Sequence, residues 1–193
     1  MSRPRILTFM VGLLLLVFYS RVMWLTDLNF TIDEVRSAMR SAGNLPQLIH
    51  WQPDDWPPLH NLLLGLWRNI VGEHPVVLRL SSIIFFLPAI PVIYRIGRRL
   101  TKSEQVGWSM AIAYAAMGFS VYLSTHLRPY ALSLCLFPIV LWLTDRYFAS
   151  VRKSKIRRFI AALVLAIAIN ALFYTTYTAL FPFAFIGLYT VAC

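Results

Sequence analysis

Two adjacent carboxylates, Asp33 and Glu34, lie in the stretch LNFTIDEVRSAM at residues 28–39, just after the first long apolar run of the chain. The 193 residues include only eight Asp and Glu against eighteen Lys and Arg, so a pair of acids at this point needs an explanation. A carboxylate near a membrane surface can accept a proton from an incoming hydroxyl group, as a general base does. Asp33 and Glu34 are therefore the first candidates for catalysis.

The same stretch also carries a helix-start pattern. Thr31 and Glu34 have the spacing of a capping box, with Thr31 as N-cap and Glu34 reaching back to its backbone N–H. This pattern explains Glu34 as a cap more readily than as a catalyst, but it does not require Asp33. Apolar residues follow at helical spacing, and they predict a short amphipathic helix that lies on the membrane and stops near Gly43: Val35, Ala38, Met39 and Ala42.

Two arginines are candidates for binding an anion. Arg79 opens a later apolar run, and Arg128 lies in the turn His126-Leu-Arg-Pro-Tyr130. Each can simply extend its charge to the lipid headgroups. Each can equally bind phosphate oxygens through paired, charge-assisted hydrogen bonds. Since both are expected on the side of the acidic stretch, we expect a site that handles an anionic group and a nucleophile together.

The segment Trp56-Pro-Pro-Leu-His60 predicts a second helix that lies at the membrane interface. Its two prolines interrupt any preceding helix, and Pro58 suits the first helical position. An apolar face follows, and Gly72 can end the helix after about fourteen residues, which is too short to span a membrane. His60 is most simply an interfacial polar residue, and one histidine without a nearby His or Cys gives weak support for a metal site.

The composition is that of a membrane protein. The chain is 59% hydrophobic and 13% charged, with a mean hydropathy of +0.65. Helices satisfy their own backbone groups in lipid, so we predict an all-α, polytopic helical membrane protein with about six transmembrane helices in one membrane domain, 1–193. The predicted spans are about 6–25, 76–96, 106–125, 130–147, 159–174 and 178–193.

The basic residues predict the orientation. They cluster near the N-terminus, in 95–102 and in 146–158, and alternating spans bring these clusters to one side, as the positive-inside rule requires. The N-terminus is then cytoplasmic, and loop 26–75, with its two interfacial helices and six of the eight acids, is extracytoplasmic. Topology and anionic membrane lipids account for the net charge of +10 without a nucleic-acid partner.

Several motifs in this order resemble a known superfamily. They are the Asp33-Glu34 pair after the first span, Pro-Pro-Leu at 57–59, Gly72 followed by Arg-Leu-Ser at 79–81, Gly-Arg-Arg-Leu at 97–100 and Arg-Pro-Tyr at 128–130. The succession resembles the N-terminal half of the multi-spanning GT-C glycosyltransferases. It is most similar to the bacterial protein-mannosyltransferase-like and lipopolysaccharide-core-transferase-like families, relatives of the aminoarabinose transferases. Tyr-Thr-Thr-Tyr at 174–177 resembles the outer end of a later span in these families.

The resemblance implies a membrane glycosyltransferase of the cell (cytoplasmic or inner) membrane. Such enzymes move a sugar from a polyprenyl-phosphate donor to a lipid, glycan or protein acceptor on the extracytoplasmic face, here by a single inverting displacement. The implied catalytic carboxylates are Asp33 and Glu34, with Asp33 as general base. Arg128 or Arg79 would bind the donor phosphate.

The resemblance also suggests further contacts, with His60 and Tyr130 as candidates for contact with donor or acceptor. No cofactor is assigned. Some relatives use a divalent metal. Whether this protein needs one stays open, because the sequence shows no convincing ligand set. Family members are longer, so we expect a C-terminally truncated fragment. Two alternatives remain: a transporter or flippase, which predicts ionisable residues or helix breaks within spans, and a non-catalytic multi-pass protein, which predicts tolerance of changes at Asp33.

Overall fold

The computed structural model describes residues 3–25, 29–43, 45–49, 57–150 and 154–179, and the regular structure in these ranges is entirely helical. The predicted all-α class is therefore confirmed. The helices are α1 (Arg3–Val22), α2 (Ile32–Arg40), α3 (Leu45–Ile49), α4 (Leu59–Val71), α5 (Pro75–Phe86), α6 (Ala89–Thr101), α7 (Glu104–Ala116), α8 (Gly118–Thr125), α9 (Tyr130–Ser150) and α10 (Lys155–Phe173), followed by a 3-10 turn at Tyr177–Ala179.

Four helical segments of the described chain are long and apolar enough to cross a membrane: α1, α5 with α6, α9 and α10. A fifth is counted if α7 and α8, which meet at a bend of 54°, form one broken span. Helices thus occupy the positions of the first five predicted spans. The sixth, 178–193, lies almost entirely outside the described residues.

The two helices predicted for the loop after α1 are present, and each turns its apolar side away from the protein. On α2 the outward residues include Ile32 and Met39, 78% and 70% exposed, whereas Glu34 and Ser37 are buried. This arrangement suits helices whose outer faces lie against lipid. On α4 the buried residues are His60, Leu64 and Gly65, and Leu66 and Ile70 are exposed.

The ends of these helices differ in detail from the prediction. Gly72 ends α4 as expected, with a positive φ of 92°. Pro58 is the N-cap of α4 rather than its first helical residue. Helix α2 ends at Arg40, earlier than the predicted stop at Gly43, because Ser41 caps it through its backbone N–H.

Three clusters of buried apolar side chains hold the helices together. The first joins α1, α5, α6 and α7, the second joins α9 and α10, and the third packs α4 against α5 and the turn after α8. Their members are Met10, Val17, Phe86, Ile90, Tyr94, Ala111 and Ala115; Val140, Ala168 and Leu172; and Leu64, Leu78 and Leu127.

Helices α6 and α7 cross closely at a point where two glycines face each other. A Cβ atom placed on Gly97 would lie 3.1 Å from the Cα of Gly107, and one on Gly107 would lie 2.9 Å from the carbonyl oxygen of Tyr94. Small residues that allow such contact are the usual means of packing helices in lipid, where the hydrophobic effect between helices is weak.

The basic ends of the helices meet at the far end of the bundle from the loop after α1. Arg99, near the end of α6, is 2.5 Å from Asp145, near the end of α9. The guanidinium carbons of Arg95 and Arg146 lie 5.7 and 5.9 Å from the ring centroid of Trp142. Two of the three basic clusters thus share one end of the bundle, as alternating spans require.

The α6–α7 crossing gives a test of the fold. Gly107→Ala should lower the midpoint of thermal unfolding in detergent or nanodiscs, because its methyl group meets backbone atoms that cannot rotate away and overpacking of this kind costs about 1–3 kcal/mol. Gly12→Ala in α1, where a Cβ has no neighbour within 4 Å, is the matched control. Equal midpoints for the two variants would contradict the close crossing.

Candidate functional site

The start of α2 is built by the predicted capping box. The Thr31 hydroxyl accepts a hydrogen bond from the backbone N–H of Glu34, with 3.3 Å between the oxygen and the nitrogen. In return, Glu34 Oε2 accepts from the backbone N–H of Thr31 at 2.9 Å. This exchange fixes the first turn of α2 and the direction in which both Asp33 and Glu34 leave the backbone.

Glu34 also forms a buried ion pair with Arg79 of α5. Arg79 Nε donates to Glu34 Oε1 and Arg79 Nη2 donates to Oε2, each at 2.8 Å, so the pair is bidentate. The side chains are 1% and 0% exposed, respectively. Charge-assisted hydrogen bonds of this geometry are among the strongest in proteins, which is what a buried charge pair requires.

A third element joins the pair. The backbone N–H of Leu127, in the turn between α8 and α9, donates to Glu34 Oε1 at 2.9 Å. Both carboxylate oxygens are therefore occupied, and one side chain connects α2, α5 and the α8–α9 turn. Glu34 positions the site, and its buried oxygens face the protein.

These contacts determine the protonation state of Glu34. Burial by itself would raise the pKa of its carboxyl group, but the hydrogen bonds and charge of Arg79 and the N–H groups of Thr31 and Leu127 outweigh it and lower the pKa to about 2. Glu34 is ionised throughout the physiological pH range.

The structure places Arg79 inside the protein, away from lipid headgroups. Besides Glu34, it donates through Nη2 to the carbonyl oxygen of Asn29 at 2.9 Å, and its guanidinium carbon lies 4.9 Å from the ring centroid of Phe30. A residue held in this way orders the chain after α1. Its place in the structure favours an internal ion pair over the donor-phosphate contact considered from the sequence.

Asp33 and Arg128, by contrast, reach the surface together. Arg128 Nη1 lies 3.6 Å from Asp33 Oδ1, and the side chains are 15% and 56% exposed. The guanidinium carbon of Arg128 also lies 5.5 Å from the ring centroid of Tyr130, within range of a cation–π contact. The structure thus brings a carboxylate, a guanidinium and a phenol to one point, although they come from α2 and from the α8–α9 turn.

His60 is not the interfacial residue that the sequence predicts, because its side chain is 1% exposed. Neither ring nitrogen has a hydrogen-bond partner in the described part of the chain. Burial, helped by the positive charge of Arg128, outweighs the opposite effect of the neighbouring Asn61 side chain and lowers the pKa of the imidazole to about 4, so His60 is neutral at pH 7. A buried polar group without a partner is costly, and such groups often have a functional explanation.

The Tyr-Thr-Thr-Tyr stretch meets the same region from the end of α10. The backbone N–H of Leu59, next to His60, donates to the carbonyl oxygen of Tyr174 at 2.9 Å. Thr175 and Thr176 are both buried. The beginning of α4 is therefore fixed by a segment more than one hundred residues later in the chain.

Two other features bear on the chemistry. Within the described residues, no group of three His, Cys, Asp or Glu side chains could hold a metal ion. An apolar cleft of about 480 Å³ lies between the middle parts of α1 and α7, lined by residues that include Phe9 and Trp108. Asp33 and Arg128 follow the ends of α1 and α8, so this cleft does not coincide with the polar site.

Glu34 gives a stability test. Glu34→Gln should lower the free energy of unfolding by about 3–5 kcal/mol, because it leaves Arg79 buried without its counter-charge. The neighbouring Asp33→Asn variant, in an exposed ion pair, should change it by less than about 1 kcal/mol. Thermal unfolding in the same membrane mimetic measures both, and an unchanged midpoint for Glu34→Gln would show that the pair does not support the fold.

The same pair sets the direction of the pH dependence. Since the pKa of Glu34 in the folded protein is below its ordinary value of 4.5, its contribution is complete above about pH 4.5 and is lost as the pH falls towards 2. The Glu34→Gln variant should lack this part of the acid transition.

Comparison with known proteins identifies a family. The family model of dolichyl-phosphate-mannose-protein mannosyltransferases matches residues 55–193, a range that includes His60, Arg79, Arg128 and Tyr130 but begins after Asp33 and Glu34. No curated protein and no solved structure matches the chain.

Proposed function

Because the chain belongs to the dolichyl-phosphate-mannose-protein mannosyltransferase family, whose members are glycosyltransferases of the GT-C type, we propose that it transfers a sugar from a polyprenyl-phosphate donor to an acceptor hydroxyl or amine group. The observation that carries the proposal is the pairing of Asp33 with Arg128. An exposed carboxylate and a guanidinium at 3.6 Å supply both groups that this reaction needs, a base and a ligand for phosphate.

The proposed reaction is a single inverting displacement. Asp33 takes the proton of the acceptor hydroxyl while the acceptor oxygen forms a bond to the anomeric carbon of the sugar. The bond from that carbon to the phosphate oxygen breaks, and the polyprenyl phosphate leaves with the electron pair. Because phosphate leaves as an anion, it needs no proton donor, and the positive charge of Arg128 stabilises the charge that develops on it. The transition state resembles an oxocarbenium ion, as in glycoside hydrolysis.

The distance between Asp33 and Arg128 adds a requirement. A base lies within about 3 Å of the acceptor oxygen, and that oxygen attacks a carbon about 3 Å away. The leaving phosphate is on the far side of that carbon, and the acceptor oxygen must approach the carboxylate that Arg128 Nη1 faces at 3.6 Å. Arg128 therefore exchanges Asp33 for the phosphate when the donor binds, and Asp33 is released to act as base.

The remaining residues have supporting roles in this proposal. Glu34 and Arg79 hold α2 and the α8–α9 turn so that Asp33 and Arg128 face each other. His60 is proposed to contact a hydroxyl group of donor or acceptor, supported by its two ring nitrogens, which lack a partner in the described chain. Tyr130 is proposed to pack against the sugar beside Arg128.

The proposed location is the extracytoplasmic face of the cell membrane, with the N-terminus in the cytoplasm. The support is the distribution of charge: the pairs Arg99–Asp145 and Arg146–Trp142 lie at the basic end of the bundle, and the acidic stretch with Asp33 lies at the other. The acceptor would be a lipid, glycan or protein that reaches this face.

A transporter or flippase remains a second candidate because of one observation. The bend of 54° between α7 and α8 interrupts an apolar segment that is long enough to span a membrane, and transporters use such breaks at their binding sites. The variants below separate the two functions, since a transporter needs no general base at Asp33.

Asp33→Asn should reduce sugar transfer by about 10²–10⁴-fold, the usual contribution of a placed general base. The assay follows a labelled sugar from polyprenyl-phosphate mannose into acceptors of membranes that contain the protein. The matched control is Glu73→Gln, since Glu73 also pairs with an arginine, Arg68, and is 73% exposed. Full transfer by Asp33→Asn at normal expression would remove Asp33 from the mechanism.

Arg128→Ala should raise the KM for the donor by about tenfold to a hundredfold, because a hydrogen bond to a charged group contributes about 1.5–3 kcal/mol. Arg128→Lys should fall in between, since lysine keeps the charge but not the paired donors. Arg36→Ala, at an exposed arginine of α2, is the control. A donor KM that stays at the wild-type value in Arg128→Ala would contradict the phosphate contact.

A further inference from the structure

Arg21, near the end of α1, is a buried arginine that the proposed mechanism does not use. It lies eighteen residues after Arg3, about 27 Å along the helix, and its side chain is 2% exposed. The contacts found for its guanidinium are with neutral groups: the Ser124 hydroxyl, two carbonyl oxygens and the ring of Phe86, whose centroid is 4.9 Å away. A buried charge that contacts only neutral groups is expensive, and buried ionisable residues of membrane helices are candidates for a functional role.

Arg21 connects the two sides of the break between α7 and α8. Its Nη2 donates to the carbonyl oxygen of Ala115 in the last turn of α7, at 2.7 Å, and its Nε donates to Ser124 Oγ in the last turn of α8, at 2.6 Å. Because α7 stops at Ala116, its last carbonyl groups lose their intrahelical partners. A positive charge at this end also interacts favourably with the helix dipole.

The end of α8 leads directly into the site. Ser124 is three residues before Leu127, which binds Glu34, and four before Arg128, which faces Asp33. A helix that bends at its first residue can swing as a unit, and this would carry Leu127 and Arg128 with it. The contact of Arg21 with Ser124 sets the position of that end.

We propose that Arg21 is a positioning residue for sugar transfer: it sets the angle of α8 through Ser124 and so places Arg128 for the donor phosphate. Arg21 itself does not touch the substrate. The expected effect on kinetics rests on the proposed function. The effect of Arg21 on the angle of α8 does not depend on that function.

The kinetic experiment compares two buried serines of α8. Ser124→Ala removes the one acceptor that Arg21 has on α8 and leaves the carbonyl of Ala115 in place. Ser120→Ala, at a serine that is also fully buried but has no hydrogen-bond partner in the described chain, is the control. Ser124→Ala should raise the KM for polyprenyl-phosphate mannose by about tenfold with a smaller change in kcat, since a misplacement of about 1 Å can cost up to about 10²-fold. Arg21→Met should have a larger effect in the same direction.

The decisive comparison repeats Ser124→Ala in an Arg128→Ala background. If Ser124 and Arg21 act through Arg128, the increase in donor KM disappears there, because the group they position is already missing. A general loss of folding would persist in this background. The inference is overturned if the increase is the same with and without Arg128, or if Ser120→Ala produces it equally.

A second measurement needs no catalysis. Spin labels at Arg36→Cys on α2 and Tyr122→Cys on α8, both exposed positions, report the distance between the two elements in a chain whose Cys135 and Cys193 are replaced by Ser. Ser124→Ala should shift or broaden the distance distribution relative to Ser120→Ala, and identical distributions would overturn the inference. If the distribution shifts but the wild-type protein transfers no sugar, the proposed function fails and the positioning role of Arg21 stands.

Discussion

A single buried carboxylate holds the polar site together. The side chain of Glu34 accepts hydrogen bonds from its own helix start, from Arg79 on α5 and from the backbone of Leu127 beyond α8. A charge in such surroundings is stable only when its hydrogen-bonding capacity is used, and this requirement fixes three elements relative to one another. This arrangement also fixes the positions of two neighbouring residues, Asp33 beside Glu34 and Arg128 beside Leu127. The adjacent acids thus have separate surroundings: Glu34 is buried in an ion pair with Arg79, and Asp33 is exposed and faces Arg128.

Much of this architecture could be predicted from the sequence, because short sequence patterns determine the positions of its helices. Apolar runs marked the long helices, and the spacing of Thr31 and Glu34 marked the capping box. The pairing of Glu34 with Arg79 could not be predicted. An arginine at the start of an apolar run can form a buried ion pair or contact lipid headgroups, and the sequence is the same in both cases. The N–H of Leu127 gave no signal at all, because every residue except proline has one. The polarity of His60 predicts a position at the interface. Its burial depends on elements that are distant in the sequence, so the local pattern does not reveal it.

The loop helices also show how a membrane alters the usual relation between polarity and burial. In water, the apolar side of an amphipathic helix packs against the protein. Here Ile32, Met39 and Ile70 face outward, and Glu34, Ser37 and His60 face inward. Polar groups therefore converge on the inner side of these helices, and apolar groups are left on the outer side. Arg21 is a further polar group that points inward, and it binds the carbonyl oxygen of Ala115, which a continuous α7–α8 helix would have used.

The bond between Glu34 and Leu127 has a consequence for the order in which the protein can assemble. The two groups are 93 residues apart in the chain, so the carboxylate cannot complete its contacts until α8 has left the ribosome. At about 5–20 residues per second, that interval is roughly 5–20 s. Arg79 follows Glu34 by only 45 residues and can pair with it earlier, but Glu34 Oε1 lacks the Leu127 contact throughout this time. Completion of the site is thus a late event in biogenesis, coupled to insertion of a distant helix rather than to folding of the loop itself.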